Sequence, residues 1–503
     1  MEKFRSMAKC RGIWIIFTLL FACSVCARHM ENHQFLDVQA ALKAGTQSDD
    51  DQQEAVEEEK EEAEENERSS SVVLKVMHRD WVASGNRTVK EVLKERLERD
   101  AKRVESINAR VEMATMGLNM SLMKPIPSNS SHFFSSEIVG RKGFSSSIIS
   151  GLAQGSGEYF TRLGVGTPPR YTYMVLDTGS DIIWLQCLPC TRCYQQTDSL
   201  FNPSASSSYR KVMCRAPLCR RLDISGCRSN RYCQYQVSYG DGSFTVGDYS
   251  RETLTFRGSP LPNVALGCGH DNEGLFVGAA GLLGLGRGPL SLPSQAARRF
   301  GNKFSYCLVD REASGTASSL IFGPAAAPRG AVFTPMVRNP KVDTFYYVEL
   351  VGISVGGVRL TGIPASLFRL DESGNGGVII DSGTSVTRLV QAAYVTMRDA
   401  FRAGTRKLKS AGEFSLFDTC YDLSGLSTVK VPTVVFHFQN GADVSLPANN
   451  YLIPVDSTGI FCFAFAGNTG GLSIIGNIQQ QGFRVVFDGQ TNRVGFAAGS
   501  CDS

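Results

Sequence analysis

Short apolar runs separated by Gly, Pro, Asn and Asp fill the chain from about residue 157 to its end. Runs of this length between turn residues are typical of β-strands, and few stretches show the 3.6-residue repeat of a helix. The exception is 391–403, which has a helical pattern. The chain therefore predicts a mostly-β region of about 345 residues, large enough for two domains that share one interface.

The pattern differs before residue 157. Residues 28 to about 70 are predicted to be loosely structured. Within them, the stretch 49–67 is mostly Asp, Glu and Gln and has almost nothing to bury, so it predicts a solvated tether. Apolar residues in 72–77 predict a strand, and 88–116 predicts an amphipathic helix with mixed charges. The apolar side of that helix comprises Val92, Leu93, Leu97, Val104, Ile107 and Val111. The Ser-, Pro- and Gly-rich stretch 125–156 predicts a linker.

The first 27 residues have the layout of a secretory signal peptide. Lys and Arg precede an apolar stretch, 13–26, that is short for a membrane span, and small residues permit cleavage after Ala27. An uncleaved anchor is the alternative. No later run is long and apolar and the C-terminus is polar, so we expect neither a membrane protein nor a lipid-linked tail. Secretion to the extracellular space is the default, with the vacuole or endoplasmic reticulum as alternatives.

Cysteine usage agrees with an oxidising compartment. Of 15 cysteines, three lie in the signal and the other twelve predict six disulfides of open connectivity. The spacing of Cys187, Cys190 and Cys193 also suits zinc, but His270 and His437 are the histidines of the mature region, and we expect no metal. The same scarcity of His disfavours a Cys–His nucleophile or a Ser–His–Asp triad, and His270 is interpreted as a structural turn residue.

The charge balance gives no sign of a nucleic-acid partner. Lys and Arg number 52 against 48 Asp and Glu, for a formal net charge of +4. The basic residues after residue 150 are dispersed without a block, as on an ordinary protein surface.

One short motif occurs twice. Asp177-Thr178-Gly179-Ser180 and Asp381-Ser382-Gly383-Thr384 each follow an apolar run, so each predicts a buried strand that ends in a turn presenting one carboxylate. Further along the chain from each copy, two apolar residues are followed by a Gly, at 282–284 and at 474–476. The Gly would let a second strand cross the first at close range. The repetition predicts a duplicated fold with two carboxylates meeting at its centre.

Two such carboxylates can hydrolyse a peptide bond without a cofactor. Close together they cannot both ionise readily, so they share one proton and titrate as a pair. The ionised member acts as base toward water and the protonated member acts as acid. These roles are assigned to Asp177 and Asp381 jointly.

Over residues 157–501 the chain resembles the pepsin-like aspartic proteases, specifically the plant nepenthesin-type branch and most nearly its guard-cell-type members. The resemblance is carried by both Asp turns, their apolar-apolar-Gly partners, Trp184, the segment 239–243 and a Cys-rich insertion, 187–233. It implies a bilobal fold of two duplicated β lobes, 151–340 and 341–503, with a central active-site cleft. It also implies a monomeric endopeptidase that cleaves polypeptides at acid pH.

The resemblance assigns supporting roles around the two Asp residues. Thr178 and Ser382 would lock the two turns together, and Ser180 and Thr384 would contact the outer carboxylate oxygens, while Gly179 and Gly383 complete the turns. Tyr239 and Gly240 would form a flap over the substrate, with the Tyr239 hydroxyl reaching the indole of Trp184. A surface hairpin tyrosine is the alternative.

The resemblance also suggests two disulfides, Cys420 with Cys462 and Cys268 with Cys501. The alternative function is that of plant proteins of this fold that bind and inhibit other enzymes. The two intact Asp turns disfavour this alternative.

Residues 28–150 fit an inhibitory propeptide, with a mature start in 142–157. Lys or Arg side chains of the predicted helix would pair with the acidic cleft at neutral pH, and acidification would loosen that contact. A passive linker is the alternative. Three glycosylation sequons, at Asn86, Asn119 and Asn129, all lie in this segment.

Overall fold

The computed structural model describes residues 32–43, 71–78, 88–118, 159–228, 231–239, 243–274, 276, 278–309, 318–499 and 501. The predicted signal peptide, the acidic stretch 49–67, the linker 125–156, Gly240 and the three sequons lie outside these residues. Within them, no helix is both long and apolar enough to cross a membrane.

The described part is dominated by strands. The first fourteen are β1 His33–Asp37, β2 Val72–His78, β3 Tyr159–Val165, β4 Arg170–Asp177, β5 Trp184–Gln186, β6 Arg210–Lys211, β7 Ser225–Arg228, β8 Tyr232–Ser238, β9 Phe244–Phe256, β10 Ser259–Glu273, β11 Gly281–Gly284, β12 Lys303–Cys307, β13 Ser318–Phe322 and β14 Val332–Val337. The remainder are β15 Tyr346–Val348, β16 Leu350–Val355, β17 Val358–Arg359, β18 Val378–Ile380, β19 Thr387–Val390, β20 Lys409–Ala411, β21 Cys420–Asp422, β22 Thr428–Pro432, β23 Val434–Phe438, β24 Ala442–Leu446, β25 Leu452–Pro454, β26 Ile460–Phe463, β27 Phe465–Asn468, β28 Ser473–Ile475, β29 Phe483–Asp488 and β30 Arg493–Ala498.

Helices are fewer, and most of them are short. The α-helices are α1 Val38–Lys43, α2 Val89–Thr115, α3 Leu292–Gln295, α4 Ala297–Phe300, α5 Gln391–Gly404 and α6 Asn477–Gln480. Single 3-10 turns occupy Pro203–Ala205, Cys219–Arg221, Pro324–Ala326, Ala365–Phe368, Gln439–Gly441 and Ala448–Asn450. The predicted mostly-β fold and the predicted helix over 391–403 are confirmed.

The predicted duplication is visible in the strand pairing. In the first half, β11 runs parallel to β4 and antiparallel to β5, and β5 runs parallel to β10. In the second half, β28 runs parallel to β18 and antiparallel to β19, and β19 runs parallel to β27. The two halves therefore share one topology, in which a Gly-ending strand crosses beside the strand that leads to each Asp.

One sheet passes beneath both halves. Its strands follow the order β14, β30, β29, β12, β13, β2 and β3. Strand β2 confirms the strand predicted at 72–77, and its side chains alternate between buried and half-buried positions. This segment of the predicted propeptide is therefore an internal strand of the sheet, paired on both sides.

Helix α2 confirms the helix predicted at 88–116. It begins with a capping box, in which the Glu91 amide donates to the Thr88 hydroxyl and the Thr88 amide donates to the Glu91 carboxylate. Its apolar side is buried against the second half of the molecule. Leu93 and Leu97 pack near Phe417 and Ile478, while its later apolar residues, Val104, Ile107 and Val111, pack around Phe345 and Tyr347.

The interpretation of 28–70 as loosely structured is wrong for its first part. Strand β1 pairs antiparallel with β22, from His33 opposite Pro432 to Asp37 opposite Thr428. Leu36 and Val38 are fully buried there. The segment is ordered because two buried apolar side chains and one strand ladder suffice to dock it. The sequence pattern of this strand is too short to be recognised within a polar region.

Six disulfides are present, as predicted, and Cys420 pairs with Cys462. The predicted pairing of Cys268 with Cys501 is wrong. Cys268 lies opposite Leu185 in the β10–β5 ladder, which brings it to Cys187 with the Cα atoms 5.4 Å apart. Cys501 instead joins Cys307 at the end of β12. The other pairs are Cys190–Cys193, Cys214–Cys227 and Cys219–Cys233, all within the Cys-rich insertion.

Candidate active site

The two motif carboxylates meet at the centre of the duplicated fold. Asp177 ends β4 and Asp381 follows β18, and both are almost fully buried. Each strand is apolar and lies beside the Gly-ending strand that the sequence predicted, and the structure shows that the two run parallel, so the turn after it is held rigidly. The two carboxylates are close enough for one nitrogen atom to contact both of them.

A Gly in each crossing strand makes this packing possible. A Cβ added to Gly284 would lie 2.5 Å from the carbonyl carbon of Asp181, four residues after Asp177. A Cβ added to Gly476 would lie 2.6 Å from the carbonyl oxygen of Ser385, four residues after Asp381. Any other residue would push the strand away from the turn, so the close approach predicted for both glycines is present.

The two turns are tied to each other reciprocally. The Ser382 amide donates to the Thr178 hydroxyl at 2.8 Å, and the Thr178 amide donates to the Ser382 hydroxyl at 3.2 Å. Within the turns, the Gly179 amide donates to Asp177 Oδ1 at 2.9 Å and the Gly383 amide to Asp381 Oδ1 at 3.3 Å. Neutral donors thus orient both carboxylates, as the resemblance implied for Thr178 and Ser382.

The outer hydroxyl contact is present at one carboxylate only. Thr384 donates to Asp381 Oδ2 at 2.6 Å, as expected. The corresponding expectation for Ser180 is wrong in this state, because its buried hydroxyl has no hydrogen-bond partner within the described residues. Asp177 is held instead by the Gly179 amide and by an arginine from outside the motif.

That arginine is Arg103 of helix α2. Its Nη2 lies 2.5 Å from Asp177 Oδ1 and 2.8 Å from Asp381 Oδ1, and its Nε lies 2.7 Å from Asp381 Oδ2. The guanidinium is buried against both motif glycines, where a Cβ on Gly179 or Gly383 would collide with it. One cation therefore bridges the two carboxylates and fills the space between them.

This bridge changes the proton affinities of the groups it joins. Burial alone raises the pKa of Asp381, but the Arg103 charge, its hydrogen bond and the Thr384 hydroxyl outweigh burial and hold that pKa below its usual value. Burial lowers the pKa of Arg103, and the two carboxylates more than offset this and raise it. With Arg103 in place, the arrangement favours the ionised form of Asp381.

The predicted hairpin and its partner are also in place. Strands β8 and β9 pair up to Ser238 opposite Phe244, and the Tyr239 amide donates to the Ser243 carbonyl across the hairpin end. The Trp184 indole N–H donates to the Tyr239 hydroxyl at 2.8 Å. The Phe276 ring contacts both aromatic rings at their edges. Gly240, the other predicted flap residue, lies outside the described residues.

Comparisons with known proteins agree with this geometry. A xylanase inhibitor N-terminal model matches residues 159–324, and a xylanase inhibitor C-terminal model matches residues 345–498. "Aspartyl protease family protein 2" of Arabidopsis thaliana is 63% identical over 432 residues, which cover 86% of this chain and 85% of that protein. The chain belongs to the aspartyl protease family.

Two other members of the aspartyl protease family confirm the predicted branch. "Protein ASPARTIC PROTEASE IN GUARD CELL 2" of Arabidopsis thaliana is 49% identical over 85% of this chain and 87% of its own length. "Aspartic proteinase nepenthesin-1" of Nepenthes gracilis is 42% identical over 71% of this chain and 81% of its own length. Among solved structures, that of edgp aligns with a TM-score of 0.57 at 22% identity, covering 68% of this chain and 91% of that one, and supports the bilobal fold.

In this member of the aspartyl protease family, sequence reasoning missed a buried ion pair beside the site. Asp100 of α2 accepts from the Ser385 amide at 2.5 Å, the Val386 amide at 3.3 Å and Arg388 Nη2 at 2.6 Å. Asp100 is 1% exposed and Arg388 is 5% exposed. Desolvation raises the pKa of Asp100, and Arg388 and the two amides only partly offset it.

A sequence signal for these contacts exists in the helix. Apolar residues recur at 93, 97, 104, 107 and 111, and Asp100 occupies the place in this series where another apolar residue would be expected. Three arginines recur every seven residues beside that stripe, at Arg96, Arg103 and Arg110. All three contact the body of the protein, because positions seven apart lie on the same helix face.

Near its C-terminal end, helix α2 approaches Asp181, a carboxyl that the sequence analysis did not single out. Arg110 donates to the Thr344 hydroxyl at 2.8 Å, and that hydroxyl donates to Asp181 Oδ2 at 2.6 Å. The Gly288 amide donates to Asp181 Oδ1 at 2.8 Å. Burial raises the pKa of Asp181 to about 6, against the opposing effects of Arg110 and these two donors.

The histidines take no part in the site. His270 contacts Asp248 and the Pro189 carbonyl, in keeping with a turn residue. His437 lies 2.7 Å from both Ser354 Oγ and Asp443 Oδ1, the spacing of a catalytic triad. Ser354, however, is fully buried within β16, between β17 and β23, so no substrate reaches its hydroxyl. Across the described residues, no group of three or more His, Cys, Asp or Glu side chains is placed to hold a metal ion.

Proposed function

We propose that the protein is an aspartic endopeptidase that is made as a zymogen and hydrolyses peptide bonds at acid pH. The observation that carries the proposal is the pair of buried carboxylates, Asp177 and Asp381, held face to face by reciprocal bonds between their turns. A binding protein needs no such arrangement of two titratable groups.

The chemistry follows from removing Arg103. Without the guanidinium, two carboxylates within reach of one atom share a proton, and the space between them admits water. The ionised carboxylate takes a proton from that water, which attacks the peptide carbonyl carbon. The protonated carboxyl donates its proton to the carbonyl oxygen. The Gly179, Gly383 and Thr384 donors hold both groups in position without adding charge.

Residues 28–150 act as the inhibitory segment in this proposal. Helix α2 fills the cleft with its apolar side and places Arg103 where the water would lie. Arg103 holds the pKa of Asp381 below its usual value, whereas the free pair has no cation between its carboxylates, so undocking raises the proton affinity of Asp381. By linkage, lowering the pH favours the undocked state, which is the direction expected of acid activation.

The hairpin that carries Tyr239 acts as the flap. Its hydroxyl accepts from Trp184, which fixes the ring beside the first lobe and leaves the hairpin end to close over an extended polypeptide. We propose secretion as the destination, with the vacuole or endoplasmic reticulum as alternatives, and a monomer as the active form.

The test is expression of residues 28–503 in a disulfide-competent host, followed by incubation at about pH 4, where a carboxylate pair shares one proton. We expect pepstatin-sensitive cleavage of a denatured protein and loss of the prosegment. The Asp381→Asn variant should do neither, and a cooperative melting transition should verify that it is folded. A folded wild-type protein that cleaves nothing at any acid pH would refute the proposal and favour an enzyme-inhibiting or ligand-binding protein on this fold.

A further inference from the structure

A strongly basic face lies on the Cys-rich insertion, within residues 210–231. This stretch has seven Lys and Arg residues against one acidic residue, Asp223, whereas the charges of the whole chain nearly balance. All seven basic side chains are exposed, and together they define the basic face: Arg210, Lys211, Arg215, Arg220, Arg221, Arg228 and Arg231. Lys211 pairs with Asp248 at 2.7 Å, and the other six form no ion pair with a carboxylate of the described residues. Most of this positive charge is therefore left without a counter-charge there.

The fold brings these basic residues together, although they are interspersed in the sequence. Lys211 and Arg231 both lie over the Tyr232 ring, with Lys211 Nζ 5.5 Å and Arg231 Cζ 5.0 Å from its centroid. Arg228 lies opposite Tyr232 in the β7–β8 ladder. One aromatic ring is therefore surrounded by three cations.

A disulfide holds the basic face together against its own repulsion. Cys214 is bonded to Cys227, and a basic residue follows each of them, so Arg215 and Arg228 are held beside each other. Like charges concentrated in this way repel, and they attract ions of the opposite sign. A polyanion that covers the face therefore relieves this repulsion.

The same chain contains a polyanion of suitable charge. The acidic stretch 49–67 has twelve Asp and Glu residues and one Lys. It lies between two docked segments, helix α1, which ends at Lys43, and strand β2, which is preceded by Ser71. The Ala325 amide donates to the Ser71 hydroxyl at 3.0 Å. The chain between Lys43 and Ser71 can extend to about 90 Å, so it can follow the protein surface for a long distance.

The basic face is within reach of the acidic stretch. Strand β6, which carries Arg210 and Lys211, pairs with β9, β9 pairs with β3, and β3 pairs with β2. Two strands therefore separate β6 from the strand that follows the acidic stretch, and neighbouring strands lie about 4.8 Å apart. A tether of this kind gives a roughly millimolar effective concentration, so the acidic stretch has an advantage over polyanions in solution.

We propose that the acidic stretch 49–67 docks on the basic face of the Cys-rich insertion. Its carboxylates pair with the exposed arginines and neutralise the face while the chain is uncut. This docking lies outside the cleft and does not involve Asp177, Asp381 or helix α2. The segment before the mature region is thus held at one further place, by charge alone, and the basic face opens when that segment is lost.

The test compares two full chains, both beginning at residue 28 and kept uncut at pH 7. One has the native acidic stretch, and the other has Asp→Asn and Glu→Gln at all twelve acidic positions of 49–67. A labelled synthetic peptide of residues 49–67 is titrated onto each. We expect the neutralised chain to bind the peptide at least tenfold more tightly, because the native stretch already covers the face. This binding should weaken as NaCl is raised from about 0.01 M to about 0.15 M, since salt screens exposed charges.

Arginine variants locate the peptide on the protein. In the neutralised chain, the triple change Arg215→Gln, Arg228→Gln and Arg231→Gln should weaken peptide binding by about tenfold, the factor that three exposed ion pairs give together. The matched control alters three exposed arginines outside the basic face and should bind the peptide as before: Arg298→Gln, Arg338→Gln and Arg369→Gln. A melting transition of each variant verifies that it is folded.

A second ligand distinguishes the chain's own stretch from an outside polyanion. Polygalacturonate, a linear acidic polysaccharide, should bind the neutralised chain and bind the native chain at least tenfold more weakly. Equal binding of polygalacturonate to both chains would mean that the face is open in the native chain and serves an acidic polysaccharide, which would overturn the proposal. Equal binding of the peptide to both chains, or binding unaffected by the Arg215, Arg228 and Arg231 changes, would also overturn it.

Discussion

Replacing Arg103 with Met should change how the docking of helix α2 depends on pH. The change removes the guanidinium that bridges Asp177 and Asp381 and keeps a side chain of similar length. In the wild type, docking places the Arg103 charge beside Asp381 and lowers its pKa, whereas the introduced methionine has no charge to do so. We therefore expect the acid dependence of docking to change in the variant, with Asp100 and Asp181 as the remaining titrating contacts of the helix.

The structure sets the magnitudes. Removing one partner of a buried ion pair costs about 3–5 kcal/mol, so the population of undocked molecules at neutral pH should rise by about two to four orders of magnitude. The five buried apolar residues of the helix still contribute about 1.5–3 kcal/mol each as an upper estimate, so most molecules stay docked. In the wild type, each pH unit over which the undocked site takes up a proton that the docked site excludes should weaken docking by about 1.4 kcal/mol, or tenfold.

The assay is the affinity for labelled pepstatin, which enters only the undocked cleft, measured on uncut chains between about pH 3 and pH 7. A gel of each sample verifies that the chain is intact. Lys94→Met is the matched control, because Lys94 lies on the exposed side of the same helix and the variant should behave as wild type. An Arg103→Met protein that keeps the wild-type pH slope, or a wild type with no slope, would refute the reasoning.

Three other outcomes follow from contacts in the structure. Tyr239→Phe removes the acceptor of the Trp184 indole and should lower kcat/KM about five- to tenfold with little change in melting temperature, whereas unchanged kinetics would argue against the flap. Replacing Cys307 and Cys501 by Ser should cost about 2–4 kcal/mol of unfolding free energy, and peptide mapping without reductant should recover this pair from the wild type. Asp181 has a folded-state pKa raised to about 6. Its contribution to the free energy of unfolding, about 3 kcal/mol at most, is therefore present at about pH 4 and is lost as the pH rises through 6. Asp181→Asn should flatten this part of the melting curve's pH dependence, and an unchanged profile would contradict the assignment.

The duplicated core was predictable from the sequence because its signals are local. An apolar strand, an Asp turn and a Gly that permits a close crossing are each legible within a few residues, and their repetition indicates a shared topology. Helix α2 was predictable for the same reason, since its capping box and apolar repeat are periodic.

The errors concern partners that are distant in sequence. The pairing of Cys268 depends on which strand lies beside β10, and the parallel placement of β5 brings Cys187 to it in preference to Cys501. Asp100 was counted among the charges of an amphipathic helix, although it replaces an apolar residue in the buried stripe. Its burial is explained by three hydrogen-bond donors almost three hundred residues away, and a local sequence pattern gives no information about partners at that separation.

Because of strand β2, cleavage of the prosegment and its release from the protein are two separate events. It pairs with β13 over residues 72–76 and with β3 over 76–78, so a cut anywhere in 119–158 divides the chain without breaking either ladder. The product of such a cut is a two-chain complex, and its lifetime depends on dissociation of the shorter chain. Before the cut the two parts meet at the effective concentration of one molecule, whereas afterwards the peptide can be lost by dilution. A freshly cut sample should therefore gain activity on dilution, and the released peptide should act as an inhibitor when added back.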